Sequence, residues 1–408
     1  MTLEELRRQF PILERKVYGR PLVYLDNAAT SQRPQSVVDA WNRATLENNA
    51  NLHRAVHKLA ADATAAYEGA RQATAGFIGA PDAKNIVFTS GATASINLVA
   101  FCFGEAFIKP GDQIIVTEEE HHSNIVPWQM MAQRKGAVLK VLPVDDNGNL
   151  QVDMLDQMLQ GGKVKLLCVA HVSNVLGIVN PVAEIVAKCH EYGCAVLVDG
   201  AQGIVHLKVD VSALDCDFYA FSGHKLYAAP GTGVLYAKQQ WMDAFPPYMG
   251  GGEMIETVRW EGTTFAKAPH KFEAGTQNIS GVPTLVPAYG TALQMREESI
   301  ETETLEVRDF VYYALRKDPL VKLFGCPEKD SDKIPLFSFC VDGVHHEDLA
   351  LILDKMGFAV RSGQMCAEPL MDRFGVTGML RVSFAPYNTM QEAQQFIGAL
   401  DKAVKMLR

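Results

Sequence analysis

Strand and helix patterns alternate without interruption from residue 85 to residue 198, and this alternation limits the fold more than any other feature of the chain. Apolar runs at 85–89, 113–117, 138–142, 165–171 and 194–198 read as buried strands. Between them, apolar residues recur at helical spacing over 92–103, 124–135, 153–160 and 181–192. Such units build a mainly parallel sheet with helices on both faces, whose ligands collect at the carboxyl ends of the strands. Two more apolar runs, 218–221 and 234–236, bring the expected sheet to seven strands.

The flanks read differently. Residues 2–10 predict a short helix, 23–30 a strand entering a small-residue turn, and 34–49 and 57–78 helices. Residues 245–283 are rich in Pro and Gly with little periodicity, which in a stretch that long points to a functional or interfacial loop. A long helical pattern over 284–317 leads to strand 335–341, helix 346–356, strands 358–361 and 379–384 and helix 389–407, a smaller α+β unit. The expected division is an N-terminal arm, 1–20, packing with a small domain at 291–408, and a large domain at 21–290. A length of 408 residues fits that count. The net charge of −9 argues against nucleic acid as a partner. No apolar run of membrane-spanning length is present, and the charged N-terminus lacks a signal-peptide core. The eight cysteines show neither Cys-x-x-Cys pairs nor zinc-ligand spacing, so no metal is expected, and reduced thiols in a cytoplasmic protein are.

Chemistry-bearing residues fall at the expected strand ends. Lys225, in Ser222-Gly223-His224-Lys225, lies between two buried strands. It is either a solvated loop lysine or a desolvated amine available as a Schiff-base nucleophile. Asp199 ends strand 194–198; it caps a turn, or it holds the proton of a pyridine nitrogen and so makes the ring an electron sink. Thr89-Ser90-Gly91-Ala92-Thr93 is an ordinary helix start or a small-phosphate cradle, and it matches neither Gly-x-Gly-x-x-Gly nor a Walker loop. His121 is a loop histidine or a ring stacked on an aromatic cofactor. Cys366 is a small core residue or a thiol activated by positive neighbours such as Arg361 and Arg381. Arg381 forms a surface ion pair or binds a carboxylate with its planar fork.

The order of these pieces, with Leu25-Asp26-Asn27-Ala28-Ala29-Thr30, Asn51-Leu52-His53-Arg54, Glu120-His121-His122-Ser123-Asn124, Ser173-Asn174-Val175-Leu176-Gly177, Asp199-Gly200-Ala201-Gln202, Phe272-Glu273-Ala274-Gly275-Thr276 and Arg381-Val382-Ser383-Phe384, resembles fold-type I pyridoxal-phosphate enzymes. Within them the chain resembles, end to end, the class V aminotransferase superfamily and its SUF-type cysteine desulfurase and selenocysteine lyase family. The resemblance implies an α/β large domain that binds pyridoxal 5′-phosphate and a small α+β domain carrying the nucleophilic Cys366. It implies that Lys225 carries the cofactor as a Schiff base, Asp199 pairs with the pyridine nitrogen and Gln202 touches the ring hydroxyl. His121 would stack on the ring, and Ala92, Thr93, Ser222 and His224 would hold the phosphate. Thr276 would reach the phosphate of a neighbouring subunit, which implies a homodimer. Asn174 and Arg381 would hold the substrate carboxylate, with Ala28, His53, Arg54 and Arg361 also at the substrate. The implied reaction takes L-cysteine to L-alanine and leaves a persulfide on Cys366; the alternatives are a selenocysteine lyase acting on L-selenocysteine, for which Cys366 is less necessary, and another class V aminotransferase-type pyridoxal-phosphate enzyme. A small acceptor protein of SufE/CsdE or SufU type would carry the sulfur to iron–sulfur cluster assembly. The chain departs from the family's usual residues at Met365 (His), Ala94 (Glu), Ala229 (Gly) and Gln277 (Pro).

Overall fold

The computed structural model describes residues 1–53 and 56–408; the expectation placed on Arg54 lies outside them. Its largest sheet has seven strands: β1 Ile86–Thr89, β2 Gln113–Thr117, β3 Val138–Leu142, β4 Val164–Ala170, β5 Ala195–Asp199, β6 Phe218–Ser222 and β7 Gly233–Ala237, in the order β1-β7-β6-β5-β4-β2-β3. Neighbours from β6 through β3 are parallel, whereas β7 runs antiparallel to both β6 and β1. The connection from β6 to β7 carries only the 3-10 turn Gly223–Lys225. A parallel return needs a crossover of a dozen residues or more, so the chain doubles back instead. Lys225 therefore sits in a tight return at the carboxyl end of β6.

Alternation along each strand divides the core between the two faces. Leu167, Val169, Val196, Val198, Tyr219 and Phe221 pack on one side. Leu166, Cys168, Leu197, Phe218 and Ala220 pack on the other. Both faces are apolar, as expected of a sheet covered by helices on both sides.

A second sheet, antiparallel, comprises β8 Val321–Phe324, β9 Leu336–Val341, β10 Arg361–Gly363 and β11 Met379–Ser383 in the order β8-β9-β11-β10. Helices Glu298–Lys317, His346–Lys355 and Met390–Leu407 share its core with Val23 and Leu25. The last of these helices starts with a Thr389–Glu392 capping box. Val23–Tyr24 pairs with Phe358–Ala359. The arm helix Leu3–Arg8 spans two neighbours: Arg7 bonds the Tyr387 carbonyl and, at 2.8 Å, Glu392, while Gln9 reaches Gln294 at 3.2 Å.

Several elements differ from the sequence reading, among them strand 358–361, which is two short strands, Phe358–Ala359 and Arg361–Gly363. The long helical pattern is two helices, Leu285–Gln294 and Glu298–Lys317. In the break between them, the Arg296 guanidinium donates to the Ile204 and Leu207 carbonyls at 2.8 and 2.7 Å. The run 245–283 contains a β-hairpin, Ile255–Arg259 with Gly262–Phe265, exposed on nearly every residue. Strand β8 was not expected.

Beyond the hairpin, Glu273 anchors the 272–278 segment. Its buried carboxylate accepts from Arg71 at 2.7 and 2.8 Å, from the Phe88 amide at 2.7 Å and from the Tyr67 hydroxyl at 3.2 Å. Removing one partner of a buried pair strands the other charge. Glu273→Ala is therefore expected to lower unfolding free energy by about 3–5 kcal/mol, measured by denaturant titration of the apoprotein. A change near zero would contradict the anchor.

Candidate active site

The carboxyl ends of β2, β4, β5 and β6 open into a cavity of about 250 Å³, closed on its far side by residues of the second sheet. Ala28, Ala92, Thr93, His121, Asn174, Asp199 and Gln202 line it. Ser222, His224, Lys225, Arg361, Cys366 and Arg381 line it as well. Residues separated by up to 353 positions thus meet where a doubly wound sheet places its ligands.

Burial pushes the Lys225 amine down to about 8, against the opposing pull of Asp199, and Arg381 adds to the depression. Neutral amine is thus available close to physiological pH. Asp199 is 7% exposed, and burial raises its carboxyl even though Oδ1 accepts from the Ala201 amide at 2.9 Å. A buried carboxylate held by one backbone bond suits a cationic N–H partner. Gln202 donates Nε2 to the Ala28 carbonyl at 2.8 Å, which fixes its amide orientation.

His121 is held neutral. Burial and then the Lys225 charge push its imidazole down to about 4. Its Nδ1 accepts from the Ser123 amide at 3.0 Å, so the single proton resides on Nε2. A neutral ring beside Lys225 can lie against an aromatic ligand without adding charge.

At the other end, helix Ala92–Phe107 begins. The Ala92 amide donates to Ser222 Oγ at 2.8 Å, and Thr93 Oγ1 pairs with Ser123 Oγ at 2.7 Å. First-turn amides have no acceptor within the helix. Strand β7 passes directly behind: a Cβ on Gly233 would lie 2.3 Å from the Gly91 Cα, so only glycine lets this turn sit on the sheet. His224, also lowered to about 4 by burial, pairs through Nδ1 with Thr30 Oγ1 at 3.2 Å. Hydroxyls and free amides together form a cradle for a small anion.

Arg361 and Arg381 face each other across β10 and β11. Asp26 lies between them, 3.2 Å from Arg361 Nε and 3.3 Å from Arg381 NH2. Arg381 also donates to the Asn174 carbonyl at 2.9 Å, yet its buried Nε has no partner. A guanidinium that is 3% exposed and incompletely paired is suited to take a further carboxylate.

Cys366, the one exposed cysteine of the eight, stands at the rim. It and Met365 both adopt left-handed backbone, φ 55° and 53°. Asn174 Nδ2 donates to the Met365 carbonyl at 2.9 Å, and the His122 amide to the Cys366 carbonyl at 2.7 Å.

Two expected residues lie elsewhere in the chain. Thr276 is exposed and lines a separate cavity with Tyr67, Thr89 and Ser90. His53, at φ 64°, donates its amide to Thr64 Oγ1 at 2.9 Å. Its ring lies 5.1 Å from that of His270 and 3.6 Å from Glu68, a carboxylate already bound by Arg71 at 2.9 Å. His53 is thus not among the residues lining the first cavity. Conversely, Asp26 and His122 were given no role on sequence, although both stand in segments that were singled out.

The donor set fits a flat aromatic cofactor carrying an electrophilic carbon for Lys225, a basic ring nitrogen for Asp199 and an anion for the helix start. Comparison with known proteins agrees. The family described as aminotransferase class-V matches residues 23–396. A probable cysteine desulfurase of Vibrio cholerae is 45% identical over 407 residues, covering 100% of both chains. A cysteine desulfurase of Cronobacter sakazakii is 44% identical over 407 residues, covering 100% of this chain and 99% of its own. The crystal structure of the Escherichia coli cysteine desulfurase CsdA, in an S-sulfonic acid form, superposes with a TM-score of 0.91 at 41% identity over 100% of both chains.

Proposed function

Because the chain belongs to the aminotransferase class-V family and, within it, to the cysteine desulfurases, we propose that it converts L-cysteine to L-alanine with pyridoxal 5′-phosphate and leaves the sulfur on Cys366 as a persulfide. One observation carries the reading: a lysine lowered to about 8, a buried aspartate and an exposed thiol line a single cavity. The direct test measures alanine and sulfide released from L-cysteine with and without reductant. Absence of alanine from the cofactor-loaded chain overturns the proposal.

Lys225 would hold the cofactor covalently, Asp199 its ring nitrogen, Gln202 its ring hydroxyl and His121 its face. Ala92, Thr93, Ser222 and His224 would hold its phosphate. When bound, the cofactor supplies an electron sink that acidifies the substrate Cα–H. Asp199 keeps the ring nitrogen's proton in place, since burial makes separation of that pair costly. Arg381 and the Asn174 side chain fix the substrate carboxylate, with Arg361 at the rim, which orients Cα–H toward the Lys225 amine. That amine removes the proton as a general base and returns it. The Cys366 thiolate then attacks the substrate sulfur. A sulfur–sulfur bond forms, the substrate carbon–sulfur bond breaks with its electron pair left on carbon, and protonation of that carbon gives the methyl group of alanine. No outside oxidant is consumed. A thiol on an acceptor then takes the outer sulfur by exchange and regenerates Cys366.

The finer assignments rest on supporting observations. Thr276 is exposed and outside its own cavity, which supports a homodimer in which it completes the partner's phosphate site. The exposed Cys366 supports transfer to a small acceptor protein serving iron–sulfur cluster assembly. Eight free thiols support a cytoplasmic setting, and among the described residues no helix is long and apolar enough to cross a membrane. L-selenocysteine presents the same carboxylate and amine, so parallel assays with both amino acids decide the preference.

Two variants probe the substrate side. Arg381→Lys is expected to raise KM for L-cysteine roughly 10–100-fold, because a point charge replaces a fork of donors to a charged group. An unchanged KM in steady-state assays removes Arg381 from the carboxylate site. Met365→His introduces an imidazole beside the thiol at a left-handed position that histidine tolerates. It is expected to raise first-turnover alanine toward the low end of the ~10²-fold contributed by a positioned base. No gain in rapid-quench assays places the limit in persulfide removal.

A further inference from the structure

His122 adjoins the stacking histidine but does not line the cavity. Both of its nitrogen-bearing ends are engaged on the loop that carries the thiol. Its amide donates to the Cys366 carbonyl at 2.7 Å, and its Nε2 accepts from the Glu368 amide at 3.0 Å. Glu368 opens the helix Glu368–Phe374, where a leading amide has no acceptor within the helix. The imidazole therefore acts as an external cap for that helix. Between the two bonds lies Ala367, fully buried, and the Cys366 Cα directly precedes the first of them.

The backbone leading into the first bond is strained. Met365 and Cys366 are consecutive non-glycine residues at positive φ, 53° and 55°, a conformation that persists only where the surroundings impose it. Three bonds from outside the loop impose it here: Asn174 Nδ2 on Met365, the His122 amide on Cys366 and the His122 ring on Glu368. Two of the three come from His122. We propose that His122 is a positioning residue, holding the 365–368 loop so that the thiol stays at the cavity mouth. The proposal rests on the reading of Cys366 as the sulfur acceptor within the chain.

The clamp needs one tautomer. Nε2 accepts, so the ring's proton is on Nδ1, the reverse of His121, whose Nδ1 accepts. Any side chain presenting an acceptor at similar reach can replace the ring, whereas an apolar one of similar size cannot.

The experiment compares His122→Leu with His122→Gln in the cofactor-loaded enzyme and follows Cys366 alkylation by iodoacetamide in the apoprotein. His122→Leu is expected to lower kcat on the order of tenfold, because a small displacement of a reacting atom is costly, while KM for L-cysteine is unchanged. Its Cys366 should alkylate faster as the loop loosens. His122→Gln, whose amide oxygen can accept from Glu368, should restore both readouts. Wild-type kcat and alkylation in His122→Leu, a loss confined to KM, or a glutamine variant no better than leucine overturns the clamp. Should His122→Leu not fold, His122→Arg, which offers no acceptor, takes its place with the same outcomes. If the wild-type chain forms no alanine, the reading of the site falls, while alkylation still decides the clamp.

Discussion

Replacing Lys225 with alanine is expected to abolish alanine formation from L-cysteine. In the proposed reaction the lysine has two duties, the covalent tether of the cofactor and the transfer of the Cα proton. Proton transfer by a positioned side chain alone contributes about 10²–10⁴-fold, and loss of the tether adds to it. The fold should survive, because burial of the amine in the cavity is costly (it lowers the amine to about 8). The pH dependence has a definite sign. Below about 8 the amine is mostly ammonium, which does not attack, so cofactor capture by the wild-type apoprotein should quicken as pH rises from 7 to 9. Absorbance on mixing apoprotein with cofactor follows this step, and Lys225→Ala should show no covalent phase. Near wild-type turnover in that variant would sink the assignment of Lys225.

Replacing Cys366 with serine is the second large effect, and it falls on a different step. A hydroxyl is a far weaker nucleophile than a thiolate near neutral pH, so sulfur transfer should stop while substrate capture continues. The expected signature is persistence of the cofactor's spectral response to L-cysteine together with loss of alanine, about 10²-fold or more. Mass spectrometry should find +32 Da on Cys366 in the wild type after L-cysteine and none at position 366 in the variant. Because the thiol is exposed and only one atom changes, stability should be nearly unaffected. Retained alanine formation from L-cysteine would assign the attack to another group.

The large sheet was legible because its signal is local. Each of β2 to β6 is an apolar run between turn residues, and the end of a run places Asp199 or Lys225 at the ligand edge without any knowledge of contacts. The antiparallel β7 was less legible, since direction depends on how little chain separates it from β6. The hairpin at 255–265 was missed because both its faces are exposed, leaving no apolar alternation to detect. The break at Met295–Glu297 has no proline or glycine to announce it; Arg296 reaches the carbonyls of Ile204 and Leu207, about ninety residues upstream. The same holds for His122, whose partners lie 244 and 246 positions away. His53 was credited through its neighbours in a motif, but its ring lies with Glu68 and His270.

The placement of Asp26 between Arg361 and Arg381 has a consequence for turnover. Substrate and product are both amino acids and present the same carboxylate, so any grip that improves capture equally delays departure. Binding both states alike does nothing for the chemical step. An aspartate already resident on the two guanidiniums offsets part of their charge and competes for their donors. If the two arginines take the substrate carboxylate as proposed, Asp26 would act as a built-in counter-ligand that reoccupies them as alanine leaves. On that proposal the chain would trade some affinity for L-cysteine against a faster clearing of the site, and the thiol at the rim would be returned to service sooner.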